Sequence, residues 1–313
     1  MTEFAPVLVI TLCRFEHFKN CIESLSSCTH AEQTDLFVAL DYPSNESHWK
    51  GYNKIVNYLD KISGFKSVNI FKRNVNYGSS KNFNEATNEI FLKYDRYIVS
   101  EDDNIFSTNF LEYINKGLKT YNDREEVFAI NGYNYPIEIP DNYKKNIYLW
   151  KGLSGWGFGT WRDRWLGLDL DLGLDLDKNI ESIRSFISKI SNIAVLNKYA
   201  GHYFPSLLKM VNTSCIRGDT LINMNIIKNN MVCIFPTISK VRNCGHDGSG
   251  AHCGRIDDCI YSNQVIDTNL TFEYDTDVEK ENKEIYKVLK THFKRTWRGD
   301  MKTILWYLKY LTM

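Results

Sequence analysis

The sequence predicts an α/β fold built on a mostly parallel sheet, and three observations predict it. Short apolar runs alternate with stretches of helical periodicity over the first hundred residues. The runs at 7–12 and 36–40 are continuously apolar, as strands buried on both faces are. The second and fourth of these runs also lead directly into acidic side chains, Asp41 and Glu101, which puts polar chemistry at strand ends. In a parallel sheet those ends border a crevice where ligands bind.

Taken in order, the first strand (7–12) precedes Phe18, Cys21, Ile22 and Leu25, which fall at i, i+3, i+4 and i+7 on one helix face. The second strand stops at Asp41, and residues 49–59 read as a second helix. Residues 68–71 form a third strand, followed by a turn over 74–78. Ser79 or Ser80 can cap the next helix, which carries Phe83, Ala86 and Ile90 on one side. A fourth strand at 97–100 runs into Glu101, Asp102 and Asp103. Phe110, Ile114, Leu118 and Tyr121 mark another helix and 127–130 another strand. Four glycines and two tryptophans then crowd into residues 152–161. The alternating Leu/Asp stretch at 168–177 lacks the carboxylate spacing of a calcium loop. Helical patterns return at 197–211 and 217–229, a strand at 231–235, and two helices close the chain.

Composition narrows the function. With 38 Lys+Arg against 38 Asp+Glu, nothing global draws the chain to nucleic acid. At 43% hydrophobic and 14% aromatic it is a globular chain with a sizeable core, and no apolar run approaches the ~18 residues of a membrane span. No secretion signal is evident, so a cytoplasmic location with reduced cysteines is expected. Cys244, His246, His252, Cys253 and Cys259 hold no C-x2-C pair, which argues against structural zinc. Neither G-x-G-x-x-G nor G-x4-G-K-[ST] follows the first strand. A dinucleotide dehydrogenase and a P-loop NTPase thereby lose their main support.

The chemistry concentrates at Glu101, Asp102 and Asp103. Three carboxylates at a strand end raise one another's pKa unless a cation or donors compensate. A hard divalent ion provides that compensation, held by one or two carboxylates plus ligand phosphates. A solvated acidic turn is the plain alternative.

These residues resemble the GT-A fold glycosyltransferases, family 2-like. The opening strand and turn, with Thr11 and Arg14, look like the family's nucleotide-binding strand; Asp41 stands where the family reads the nucleobase. Asn76 and Gly78, then Lys81 and Asn82, are similar to its glycine turn with a following basic residue. Glu101-Asp102-Asp103 is a D-x-D-type metal motif. The second half resembles the Golgi N-acetylglucosaminyltransferase I family: the acidic motif, a Gly-Trp segment, an acidic residue opening a helix, and a glycine loop ending in His. The resemblance spans roughly residues 5–255.

What the resemblance implies is a GT-A domain over 1–270, with a nucleotide-sugar-binding half (1–105) and an acceptor half (106–270) around one mixed sheet, followed by a helical extension (271–313). It implies an inverting, metal-dependent transfer from a UDP-sugar to a glycan or lipid-linked glycan hydroxyl, in bacterial surface polysaccharide synthesis. Asp103 would hold Mn²⁺ or Mg²⁺, with His252 as a further ligand and His246 its competitor. Asp102 or Glu101 would reach the ribose or a metal-bound water. Arg14 and Lys81 would pair with phosphate or fix carboxylates. Gly155 and Trp156 would form a sugar platform, while Trp161 and Trp165 are expected in the core. Asp219 would be the base, or else the N-cap of a helix over 220–229. A non-catalytic carbohydrate-binding or assembly protein on the same fold is the alternative.

The last helix carries Trp297, Met301, Ile304, Leu305 and Leu308 on one stripe. Arg295, Arg298, Lys302 and Lys309 lie beside it, with Tyr307 and Tyr310 as candidate anchors. Peripheral membrane contact is one reading; packing onto the catalytic domain or a second subunit, as in a homodimer, is the other.

Overall fold

The computed structural model describes residues 4–168, 185, 188–189, 218–250, 259–275, 277–278 and 282–312; of these, the side chains of 218–221, 306–307 and 310–312 are not described. The expected helix at 197–211, most of the Leu/Asp stretch, and His252 lie outside the described residues.

The first half is the alternation the sequence predicts. Strand β1 (Val7–Thr11) leads to helix α1 (Phe15–Ser26), β2 (Asp35–Leu40) to α2 (Trp49–Leu59), β3 (Ser67–Lys72) to α3 (Gly78–Phe91), and then β4 (Arg96–Glu101). Each helix buries its apolar stripe: α1 turns Phe18, Cys21, Ile22 and Leu25 inward, and α3 packs on β1 and β2 through Ala86 and Ile90. The expected serine cap of α3 is corrected. The helix starts at Gly78, whose φ of +73° is a conformation glycine adopts without strain, and no side chain caps it.

The second half follows with β5 (Asn104–Phe106), α4 (Phe110–Thr120), β6 (Val127–Asn131), β7 (Ile147–Trp150), β8 (Phe158–Trp161) and α5 (Arg162–Leu166). Beyond the undescribed segment come α6 (Gly218–Lys228), β9 (Val232–Pro236), β10 (Val241–Asn243), α7 (Lys283–His292) and α8 (Trp297–Thr312). Helix α6 begins one residue before Asp219, so Asp219 sits in the first turn rather than at the N-cap. Trp161 and Trp165 are core residues, as expected.

One eight-stranded mixed sheet runs through both halves in the order β3-β2-β1-β4-β8-β6-β9-β7. Strands β3, β2, β1 and β4 are parallel, β8 is antiparallel to both β4 and β6, β9 is parallel to β6, and β7 is antiparallel to β9. Helix α4 packs on β8 closely enough that a Cβ at Gly159 would stand 2.4 Å from the Ile114 Cγ2 methyl. A separate two-stranded ribbon pairs β5 with β10 antiparallel. That ribbon carries the loop after Asn243 back to the end of β4. No helix among the described residues is long and apolar enough to cross a membrane.

Candidate functional site

The site forms where the sheet order reverses. From β1 the chain steps outward to β2 and β3, then returns to lay β4 on the other side of β1; that switch point opens a crevice beyond the strand ends. The β1–β4 register sets Ile10 opposite Glu101, so the next residues, Thr11 and Asp102, meet across the crevice. Thr11 Oγ1 donates to Asp102 Oδ2 at 2.8 Å.

Arg14 bridges the two carboxylates. Its guanidinium pairs with Asp102 and lies 2.8 Å from Asp103 Oδ2. Asp102 and Asp103 are both buried, 4% and 6% exposed, whereas Glu101 faces solvent. Burial pushes the Asp102 carboxyl above its usual value and the Asp103 charge adds to this; Arg14 and Thr11 oppose them. Although burial disfavours the Arg14 charge, the two carboxylates outweigh it and raise its pKa. Of the two expectations for Arg14, phosphate pairing and fixing carboxylates, the described contacts are with carboxylates.

The β5–β10 ribbon completes the enclosure from a distant part of the chain. Asn243 Nδ2 donates to Asp103 Oδ1 at 2.7 Å and to Asn104 Oδ1 at 3.0 Å, and the Cys244 amide donates to the Asp103 carbonyl at 2.8 Å. Gly245 follows, so close that a Cβ there would stand 2.0 Å from Asp103 Oδ2. His17, on α1, reaches Asp247 at 2.9 Å and Ser249 at 3.3 Å, tying this loop to the first helix. Despite its desolvation, Asp247 is held well below the usual carboxylate range by Ser249 and His17.

Asp41, just past β2, is used internally. Its Oδ1 accepts the Tyr42 and Tyr77 amides, each at 2.8 Å, and its Oδ2 accepts Asn76 Nδ2 at 3.3 Å. Asp41 thus holds the turn that carries Asn76 and Gly78 against the end of β2. Lys81 is exposed, with its Nζ 4.3 Å from the Tyr77 ring centroid. Gly155 faces Glu101: a Cβ there would lie 3.7 Å from Glu101 Oε1, which brings the Gly-Trp segment to the acidic motif. Trp156 packs edge-on against Tyr133, Tyr261 and His246, at centroid distances of 4.8, 5.3 and 5.6 Å.

Thr11, Arg14, Asp102, Asp103 and the Gly155 segment therefore converge, while Asp41, Asn76, Gly78 and Lys81 form a neighbouring cluster at the β2 and β3 ends. The Asp219 side chain and His252 lie outside the described residues. Asn243 and Gly245 are contacts that sequence reasoning missed, and the glycine-rich loop after 244 was their only local signal. Among the described residues no group of three or more His, Cys, Asp and Glu is placed to hold a metal. The Asp102 and Asp103 carboxylates offer the hard-oxygen chemistry that Mg²⁺ or Mn²⁺ takes, and one or two carboxylates suffice when ligand phosphates fill the remaining positions. Arg14 supplies the positive charge there now. A cavity of about 570 Å³ between residues 136–141 and α7 is lined by none of these residues.

No family model matches the chain, and no curated protein sequence matches it significantly. Solved structures do resemble it. Staphylococcus aureus TarS is similar at 12% identity with a TM-score of 0.33, over 46% of this chain and 24% of TarS, so the chain spans about a quarter of that protein. The mannosyltransferase PcManGT from Pyrobaculum calidifontis, solved with GDP-Man and Mn²⁺, is similar at 12% identity and TM-score 0.40, over 72% of this chain and 69% of that one. Apo mouse xyloside xylosyltransferase 1 is similar at 10% identity and TM-score 0.33, over 72% of this chain and 82% of that one.

Proposed function

We propose that the protein is an inverting glycosyltransferase that moves a sugar from a nucleotide-diphospho donor, UDP-linked, to the hydroxyl of a glycan or lipid-linked glycan, in the cytoplasm and in the service of bacterial surface polysaccharide synthesis. One observation carries the reading: Thr11 and Arg14 from the end of β1 meet Asp102 and Asp103 from the end of β4 at the sheet's switch point, with the Gly155-Trp156 segment beside them. An acid pair bridged by a single arginine, which leaves one negative charge over, with glycine on two sides, suits an anionic ligand that approaches closely and brings a cation.

In this reading the Asp41 turn receives the base and Asp102 the ribose. Arg14, released from the acid pair, faces the diphosphate, and Trp156 stacks on the sugar. Asp103, with His252, would hold a bound Mn²⁺ or Mg²⁺, whose chemistry there is to neutralise charge growing on the leaving diphosphate. Asp219 takes the proton of the acceptor hydroxyl as its oxygen attacks the anomeric carbon and the sugar–phosphate bond breaks.

The test is a panel of UDP-, GDP-, dTDP- and CMP-sugars assayed for released nucleotide. Donor turnover that falls at least about 100-fold in both Asp103→Asn and Asp219→Asn, with UDP binding kept only by the latter, fits the assigned roles. Saturable sugar binding with no turnover of any donor would leave a carbohydrate-binding protein instead. Full activity in EDTA would remove the metal from the proposal.

A further inference from the structure

Helix α8 carries an exposed apolar stripe. Thr303, 1% exposed, is its buried side chain among those described; its Oγ1 donates to the Gly299 carbonyl at 3.0 Å and accepts from Arg295 Nη1 at 3.4 Å. On the opposite side Trp297 is 72% exposed, Met301 50%, Ile304 38%, Leu305 60% and Leu308 51%. A helix on a globular protein normally buries its apolar stripe and shows its polar face to water. Among the described side chains, the small Thr303 is the buried one and the large apolar ones are exposed.

The basic residues gather along one flank of the stripe. Arg298, Lys302 and Lys309 each follow a stripe residue by one position, about 100° round the helix, and all three are exposed. The Arg298 guanidinium lies 5.3 Å from the Trp297 ring centroid. Residues 282–312 hold eight Lys and Arg against Glu284 and Asp300, a net of +6 in a chain whose total is zero. Lys283, Lys287 and Lys290 on α7, and Lys294 between the helices, are exposed as well.

The geometry points to a docking surface for an anionic phospholipid bilayer, with α8 lying in the plane of the interface. The stripe enters the acyl boundary, Trp297 sits at headgroup level, and the basic flank meets the lipid phosphates. At 16 residues α8 is about 24 Å long, short of the ~20 residues that span a bilayer, so it lies on the membrane rather than across it. A second copy is the poorer occupant: a two-fold contact through this face sets +6 against +6. The inference stands apart from the glycosyl-transfer reading, and its test reads no activity.

The experiment is cosedimentation of the full chain with phosphatidylcholine vesicles, with and without phosphatidylglycerol, at low and high salt. Binding is expected only with phosphatidylglycerol and weakens with salt. Each basic residue neutralised should weaken partitioning about fivefold, so Arg298→Gln with Lys302→Gln loses about 25-fold. Met301→Gln with Leu305→Gln loses at least about tenfold. All four side chains are exposed, and circular dichroism with a thermal midpoint confirms that each variant keeps its fold. The proposal is overturned if the wild-type chain ignores anionic vesicles, if both double variants bind as it does, or if sedimentation equilibrium finds a dimer that the Met301/Leu305 variant abolishes while vesicle binding is absent.

Discussion

Arg14 is the residue on which the acid pair depends. Without it, Asp102 and Asp103 would stand side by side, both buried, with only neutral donors to steady them. Removing one partner of such a pair typically costs about 3–5 kcal/mol, so Arg14→Ala should lower the neutral-pH stability by that order in a denaturant titration. The pH dependence follows from Asp102. Its folded pKa is raised, so it favours the protonated form in the folded state and disfavours the charged one; stability is lost as pH rises above the ordinary carboxyl value of 3.8 and is regained below it. Arg14→Ala should therefore recover part of its deficit near pH 4, and a deficit constant between pH 4 and 7 would contradict the account. Arg14 came from the resemblance of the opening strand and turn, whereas the acid motif was legible in the sequence because like charges at a strand end demand compensation. Asn243 was not, since it lies 140 positions from Asp103 and nothing near either residue in the chain announces the other. The His246 ring sits 4.8 Å from that of Tyr261 in an aromatic group with Trp156, a contact that spacing along the chain does not encode.

Elements hold these residues in place through a few close approaches. Helix α2 presses its backbone on the turn before α1: a Cβ at Gly51 would stand 1.7 Å from the Cys13 carbonyl oxygen, next to Arg14. Gly51→Ala must push helix or turn aside. Overpacking of this kind costs about 1–3 kcal/mol, and on the proposed glycosyl-transfer reading the displaced Arg14 should weaken nucleotide binding as well, read by calorimetry on the still-folded variant. A second anchor lies beneath the ribbon, where Lys240, the residue before β10, pairs with Asp267; their side chains are 1% and 4% exposed. Against its own desolvation, donors from Asn109, Lys240 and Asn269 hold the Asp267 pKa below its ordinary value. Its contribution is thus complete at neutral pH and is lost as pH falls below 3.8 toward the folded value. Asp267→Asn should lose about 3–5 kcal/mol at pH 7, by thermal or urea unfolding, and the gap to the wild type should narrow in acid. Periodicity disclosed the four strands and three helices of the first half because each is long and patterned. It missed β5, β7, β8 and β10, which have three or four residues each; in β8, moreover, the inward position is Gly159, chosen for the nearness of α4 rather than for hydrophobicity.

At the scale of the molecule the two expected halves share a single sheet, and β8 is the seam. It pairs with β4 through Arg96–Trp161 to Val99–Phe158 and with β6 through Ala129–Thr160 to Asn131–Phe158. A fragment ending near residue 121 keeps β1 to β4 but leaves β4 an unpaired edge of Ile98 and Val99, buried in the intact chain. Such a fragment should aggregate on expression rather than fold alone, and a monodisperse, cooperatively melting fragment would show the first half to be autonomous. The same seam sets an order on the ribosome. Between Glu101 and Phe158 the chain has 56 residues still to be made, roughly 3–11 s at about 5–20 residues per second. Throughout that interval the nascent sheet grows outward from β1 with one flank open, and β8, the strand that seals it, arrives after both of its neighbours, β4 and β6. Slowed translation across 102–157 should lengthen this exposure and raise dependence on chaperones, whereas the edges at β3 and β7 are indifferent to it.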